Sequence, residues 1–143
     1  MTAVSIRPLS LAADTAADLM APDPPTLPYD ATLHEILAAF IDHNVNVAPV
    51  VGDHGEPVGV LSLTDLLIHV RASVPDAAGG ARVAPATAAD LMTPTVFAVD
   101  AHTPAADVVA DMVRSRVHHL FVTDAAGKIV GVVSTCDVLR RLQ

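Results

Sequence analysis

The chain has little of several things, and each shortage excludes a class of protein. It holds one cysteine, Cys136, so no disulfide can form within it. Aromatic residues make up 3% of the sequence and tryptophan is absent, so the core must be built from Val, Leu, Ile, Ala and Met. No apolar run approaches the roughly 18 residues that a membrane span needs; the longest helical apolar stretch is Ile36 to Ile41. Residues 1–14 lack the basic start and apolar block of a signal peptide, which points to a cytoplasmic protein. Basic residues are also scarce: 8 against 16 acids leave a net charge of −8, the wrong balance for binding nucleic acid.

Catalytic signatures are missing too. There is no nucleophile elbow, phosphate-binding loop or HExxH helix, so no catalytic residue and no enzyme activity are expected. No metal site is expected either. His118 and His119 are adjacent on a strand and point to opposite faces, while His34 and His43 fall on opposite sides of a helix. Cys136, in the first turn of a helix, has no second cysteine to resolve an oxidised form.

What the chain does have is a repeat. "GVLSLTD" (Gly59 to Asp65) returns as "GVVSTCD" (Gly131 to Asp137), 72 residues on. At that offset residues 16–71 lie on 88–143 without a gap and with 16 identities in 56 positions, and "AADLMAP" (Ala16 to Pro22) falls on "AADLMTP" (Ala88 to Pro94). Repetition on this scale decides the architecture. The chain divides into an N-terminal segment (1–15), a first repeat (16–71), a linker rich in Ala, Gly and Pro (72–87) and a second repeat (88–143). The repeats differ in charge: the first holds eight acids and one base, the second six acids and five bases (Arg114, Arg116, Lys128, Arg140, Arg141).

Each repeat parses alike. A short helix around Ala16–Met20, or its twin, comes first. Thr32-x-x-Glu35 is a capping box, and Leu33, Ile36, Leu37, Phe40 and Ile41 form a helical stripe behind it. In the second copy Thr103 is the expected N-cap with Pro104 at the first helical position, and Ala105, Val108, Val109, Met112 and Val113 form the stripe. Two apolar runs follow, Val45–Val51 and Pro57–Leu61, then Val117–Thr123 and Lys128–Val133. Gly52-Asp-His-Gly55 and Asp124-Ala-Ala-Gly127 join them as hairpin turns. A closing helix begins at Ser62 or Ser134. The fold class is therefore α+β: two tandem β-α-β-β-α units, each too small to cover its own apolar faces, which two copies packed sheet to sheet can do.

The repeated Gly-x-x-Ser-x-x-Asp has two readings. Capping alone accounts for it, since Ser62 and Ser134 satisfy free N–H groups and Asp65 and Asp137 sit at the positive end of the helix dipole. The same groups also suit a nucleoside phosphate. The hydroxyl can bond a phosphate, the carboxylate can accept from a ribose diol, and Gly59 and Gly131 leave room for close approach.

With "DLM-P" at Asp18–Pro22 and Asp90–Pro94, "APVV" at Ala48–Val51 and "HLFVTDAAGKIVGVVSTCD" at His119–Asp137, the chain resembles a pair of CBS domains, a Bateman module, over nearly its whole length. That resemblance implies a pseudo-twofold module with two clefts, and a ligand of the AMP, ADP, ATP or S-adenosylmethionine kind. It implies that Asp65 and Asp137 hold ribose, with Ser62 and Ser134 near ribose and phosphate. It puts Val96, Val130, Gly131 and Val58 about the adenine, and Arg116, His118 and His119 near phosphates. It also implies a homodimer that regulates a partner protein, whose identity is unknown. Departures fall mainly in the first repeat: prolines crowd Asp23–Pro28, and Asn44, Asn46 and Val47 stand where the second has Arg116, His118 and His119. Phe121 stands where the family's proline is expected. The second site is accordingly the expected binder. The alternative is a ligand-free dimerisation or protein-interaction module.

Overall fold

The computed structural model describes residues 7–72, 74–75 and 79–143. Its elements run in the order α1 (Ala16–Leu19), β1 (Ala21–Pro22), β2 (Leu27–Pro28), α2 (Leu33–His43), β3 (Val47–Val51), β4 (Pro57–Ser62), α3 (Leu63–Arg71), β5 (Val74–Pro75), β6 (Ala81–Arg82), α4 (Ala88–Leu91), β7 (Ala98–Asp100), α5 (Ala105–Ser115), β8 (His119–Thr123), β9 (Ile129–Ser134) and α6 (Thr135–Leu139). The fold is α+β, as the repeat implies. The linker carries the short antiparallel pairing of β5 with β6.

Two compact units form, and they do not coincide with the two sequence repeats. One comprises residues 24–96 with 127–129; the other comprises 1–23, 97–126 and 130–143. Each repeat thus gives its opening segment to the unit built around the other. In the first-motif unit β2, β3 and β4 form a sheet, with β2 parallel to β3 and β3 antiparallel to β4. Its core of Leu27, Ile36, Phe40, Val50, Leu61 and Leu66 takes in Ala88 from α4, with Leu91 and Met92 packed alongside. In the second-motif unit the sheet order is β1-β9-β8-β7, with β7 parallel to β8 and β1 antiparallel to β9. Ala16 and Leu19 of α1 join Val108, Met112, Leu120, Val122 and Val133 there.

Local chemistry explains the elements. Thr32 accepts from the N–H of Glu35 at 3.3 Å while the Glu35 carboxylate accepts from the N–H of Thr32 at 3.2 Å, closing the expected capping box. In α5 the cap position belongs to Pro104 and not to Thr103, and Pro104 is the residue that lies on Thr32 at the 72-residue offset. A proline costs little there because its missing N–H would have had no partner inside the helix. Both helices end in a left-handed residue, Asn44 (φ 51) and Arg116 (φ 54). The hairpin turns use Gly55 (φ 78) and Gly127 (φ 80), where any side chain would be strained. β2 is two residues long and lies at a sheet edge, as the prolines of Asp23–Pro28 require.

The helical stripes are wider than the core. Ile36 and Phe40 are buried in α2, and Ala105, Val108 and Met112 in α5, but Ile41 is 75% exposed and its counterpart Val113 is 72% exposed. Residues 10–12 pair with the last residues of the chain: Ser10 and Gln143 exchange backbone hydrogen bonds of 2.7 and 2.9 Å, and Ala12 donates to the Arg141 carbonyl at 2.7 Å.

The exchanged segments meet the motif glycines. A Cβ at Gly131 would lie 2.2 Å from the Met20 sulfur and 2.9 Å from the Met20 Cβ; one at Gly59 would lie 2.4 Å from the Met92 sulfur and 2.8 Å from the Thr93 carbonyl oxygen. The second of these is backbone, held by paired 2.9 Å hydrogen bonds between Val60 and Thr93, and cannot swing aside. Overpacking of this kind costs about 1–3 kcal/mol. Gly59→Ala is therefore expected to destabilise the chain by about that amount in urea unfolding. Gly131→Ala should cost less, with part of the loss recovered in a Gly131→Ala, Met20→Ala double variant.

Candidate functional site

The two motifs fold identically at their first turn. Ser62 is the N-cap of α3: its Oγ accepts from the N–H of Asp65 at 3.3 Å, and Asp65 Oδ2 accepts from the N–H and hydroxyl of Ser62 at 2.8 and 2.9 Å. Ser134 caps α6 in the same way, with Asp137 Oδ2 accepting from its N–H and hydroxyl at 2.8 and 2.9 Å. Strand β4 or β9 delivers the serine in extended geometry, and the strand passes directly into the helix. One carboxylate oxygen in each motif is thus committed to capping.

The other oxygens differ. Asp137 Oδ1 accepts from Arg140 Nη1 at 3.4 Å, and the Asp137 side chain keeps 18% of its surface exposed. Asp65 Oδ1 has no such cation, because Ile68 occupies the position matching Arg140. Asp65 instead lines a cleft of about 280 Å³ together with Ile68, His69, Ala72, Asp90 and Leu91. His69 Nε2 is 2.7 Å from the Ala84 carbonyl, which fastens the end of the linker to α3. A wider apolar cavity of about 790 Å³ lies beside it, between α2, α3 and the linker, with Leu33, Leu37, Leu66, Val70, Val83 and Pro85 in its wall.

The opening segments carry their own carboxylates. The Asp18 carboxyl is held below its ordinary value chiefly by the N–H groups of Asp14 and Thr15, and further by the Arg141 guanidinium. Asp90 is lowered chiefly by the N–H and hydroxyl of Thr87, and further by His69. Arg141 also donates to the Asp18 carbonyl at 2.7 Å. These partners went unread in the sequence, although the 72-residue offset places Asp18 on Asp90 and Arg141 on His69.

The remaining expected site residues fall as follows. Arg116 is exposed and caps α5 in left-handed geometry, just ahead of strand β8. The His118 carbonyl accepts from the N–H of Thr135 at 3.1 Å, tying the start of β8 to α6, and its side chain is exposed. His119 is half-buried; burial lowers its pKa, the charge of His118 lowers it further, and Asp137 acts in the opposite direction. Val58 and Val130 are partly buried against the cores of their own units. Val96 belongs to the first-motif unit, while Val130 and Gly131 belong to the other. The space expected beside Gly59 and Gly131 is taken by Met92 and Met20, so close approach at these glycines serves packing of the chain on itself. Among the described residues no cluster of three or more His, Cys, Asp or Glu is arranged to hold a metal ion, and no helix is long and apolar enough to cross a membrane. Cys136 is exposed.

Comparison with known proteins agrees with this architecture. The family model for the CBS domain matches residues 16–72 and 88–143. The chain belongs to the CBS domain family and is a tandem CBS pair. It is 32% identical over 110 residues to the 5'-AMP-activated protein kinase subunit gamma-3 of Sus scrofa, an alignment covering 74% of this chain and 21% of that subunit. It is 27% identical over 109 residues to an uncharacterized protein of Methanopyrus kandleri, covering 76% of this chain and 53% of the relative. It therefore spans about a fifth of the kinase subunit and about half of the Methanopyrus kandleri relative. Among solved structures, CBSX2 in complex with AMP superposes with a TM-score of 0.70 at 25% identity, over 90% of this chain and 95% of that one. The CBS domain pair of protein MJ0100, in complex with 5'-methylthioadenosine and S-adenosyl-L-methionine, superposes with a TM-score of 0.71 at 23% identity, over 93% and 95% of the two chains.

The lowered pKa of His119 has a thermodynamic sign. An unfolded chain would protonate this imidazole near its ordinary value, whereas the fold resists protonation, so its contribution to stability is present above that value and is lost as pH falls below it. NMR titration should place His119 below the ordinary histidine range, and His119→Gln should weaken the loss of stability on mild acidification.

Proposed function

We propose that the chain is a regulatory module that binds an adenosyl ligand at its second motif and passes the bound state to a partner protein. The observation that carries the reading is the division of labour in the Asp137 carboxylate. Oδ2 is spent on the helix cap, whereas Oδ1 is held only by a 3.4 Å contact to an exposed arginine. Exposed ion pairs between residues three apart contribute only about 0.2–0.5 kcal/mol, so a ribose diol can take that oxygen at small cost. The relatives support the class of ligand: CBSX2 is described in complex with AMP, and the gamma-3 subunits belong to an AMP-activated kinase. The module is read as a sensor rather than an enzyme. It signals only as far as the ligand prefers one arrangement of the protein over another.

A second reading rests on a different observation. Ile41 and Leu67 on α2 and α3, and Val113 and Leu139 at the matching positions on α5 and α6, are all more than half exposed. Apolar side chains displayed at the same repeat positions suit association with another copy of the chain, with or without a ligand. A homodimer fits both readings, and a cytoplasmic setting suits a sensor of adenosyl metabolites.

A melting-temperature panel with AMP, ADP, ATP and S-adenosylmethionine separates the two. A ligand at a hundredfold excess over its Kd adds about 2.7 kcal/mol to stability. Asp137→Asn retains a capping acceptor but puts an amide NH₂ in place of the second oxygen. It should abolish the rise, and Asp65→Asn should leave most of it. A panel in which no ligand raises the melting temperature leaves the association reading standing alone.

A further inference from the structure

We infer that Arg140 and Arg141 make the second motif the phosphate-accepting one, and that Ile68 and His69, at the matching positions, leave the first motif suited to an adenosyl ligand without phosphate. The inference rests on the reading of Asp137 as the ribose acceptor and adds to it which charge the ligand must carry.

The two motifs are alike in backbone and capping, so the difference must come from what surrounds them. Around the second, Arg140 Nη1 reaches Asp137 Oδ1, and Arg141 Nη2 donates to the Asp18 carbonyl with its charge also acting on the Asp18 carboxylate. Two guanidiniums offset two carboxylates. Around the first, Asp65 and Asp90 line one cleft with Ile68 and His69, and among the described residues no lysine or arginine is in its wall. A phosphate entering that cleft meets two carboxylates and one imidazole, whereas a neutral nucleoside or a sulfonium meets no such penalty.

Arg140 is well placed to make the distinction. It lies three residues beyond Asp137, on the same side of the helix, with a side chain 75% exposed. When the ribose hydroxyls take Oδ1, the guanidinium loses its carboxylate partner and gains an unoccupied fork of donors. A phosphate on the same nucleoside is the partner such a fork matches in shape and charge. Ile68 offers no equivalent. The second motif therefore couples ribose capture to phosphate capture, and the first does not.

Isothermal titration with AMP and with adenosine tests this directly, since the two differ only in the phosphate. The wild-type chain should bind AMP at least tenfold more tightly than adenosine, and added NaCl should erode the AMP preference while leaving adenosine nearly unchanged. Arg140→Ile should lower AMP affinity several-fold and leave adenosine within twofold. Adding Arg141→His should remove the preference altogether. Because Arg141 also holds the Asp18 carbonyl, the melting temperature of that double variant must be checked. The reverse exchange, Ile68→Arg with His69→Arg, leaves that contact intact but replaces the His69 contact to the Ala84 carbonyl, so its melting temperature is checked in the same way, and it should create a second AMP event. Parallel losses for AMP and adenosine in Arg140→Ile, or no loss, overturn the inference, as does adenosine binding without any AMP preference in the wild type. Binding of neither ligand by the wild type removes the ribose reading itself, and the charge assignment with it.

Discussion

The contact on which the structure depends is a methionine laid across a glycine. Met20 lies on Gly131 and Met92 lies on Gly59, and in both places a single added methyl group would overlap the neighbouring sulfur. The contact joins the two most repeated parts of the sequence, the "AADLM" segment and the Gly-x-x-Ser-x-x-Asp motif, but each segment meets the motif of the other repeat. Exchange follows from the size of one repeat. Fifty-odd residues bury too little apolar surface for independence, and each core is completed by an alanine and a leucine from the opposite copy.

That arrangement accounts for the motif serine and aspartate as well. With the glycine face sealed by methionine, the strand end is rigid and the chain must turn at once into a helix, whose first N–H groups need acceptors. Serine Oγ and aspartate Oδ2 supply them. Capping and ligand binding are therefore not competing explanations for Ser-x-x-Asp. Capping uses one oxygen and fixes the direction of the other, so under the proposed function the residue that stabilises the helix is also the one that would meet a ligand. A carboxylate held in this way has already lost its rotamer freedom, which lowers the cost of binding.

Most of the fold was legible in the sequence because it is set by local chemistry that is written twice. Capping boxes at Thr32 and Ser62, glycine turns at Gly55 and Gly127, and short edge strands near Pro24 and Pro25 all follow from residue type and spacing. The N-cap at Pro104 was misread in favour of Thr103 because threonine is the better capping residue, although the repeat offset points to Pro104. The stripe in α2 was overestimated at Leu37 and Ile41 since periodicity marks an apolar face without saying how much of it the sheet covers. The exchange of opening segments was not legible at all: it is a long-range choice between two chemically equivalent partners. The pairing of Arg141 with Asp18 was hidden for the same reason, since the two are 123 residues apart.

The central proposal is that a sugar takes Asp137 Oδ1, the oxygen that the helix cap does not use and that Arg140 holds at 3.4 Å. A crystal structure of the chain grown with adenosine or AMP tests it most directly. The account predicts both ribose hydroxyls on Asp137 Oδ1, with the Ser134 contacts to Oδ2 unchanged and Arg140 turned away from the carboxylate. A ligand bound with its ribose elsewhere, while Asp137 keeps both its serine and its arginine, would contradict it.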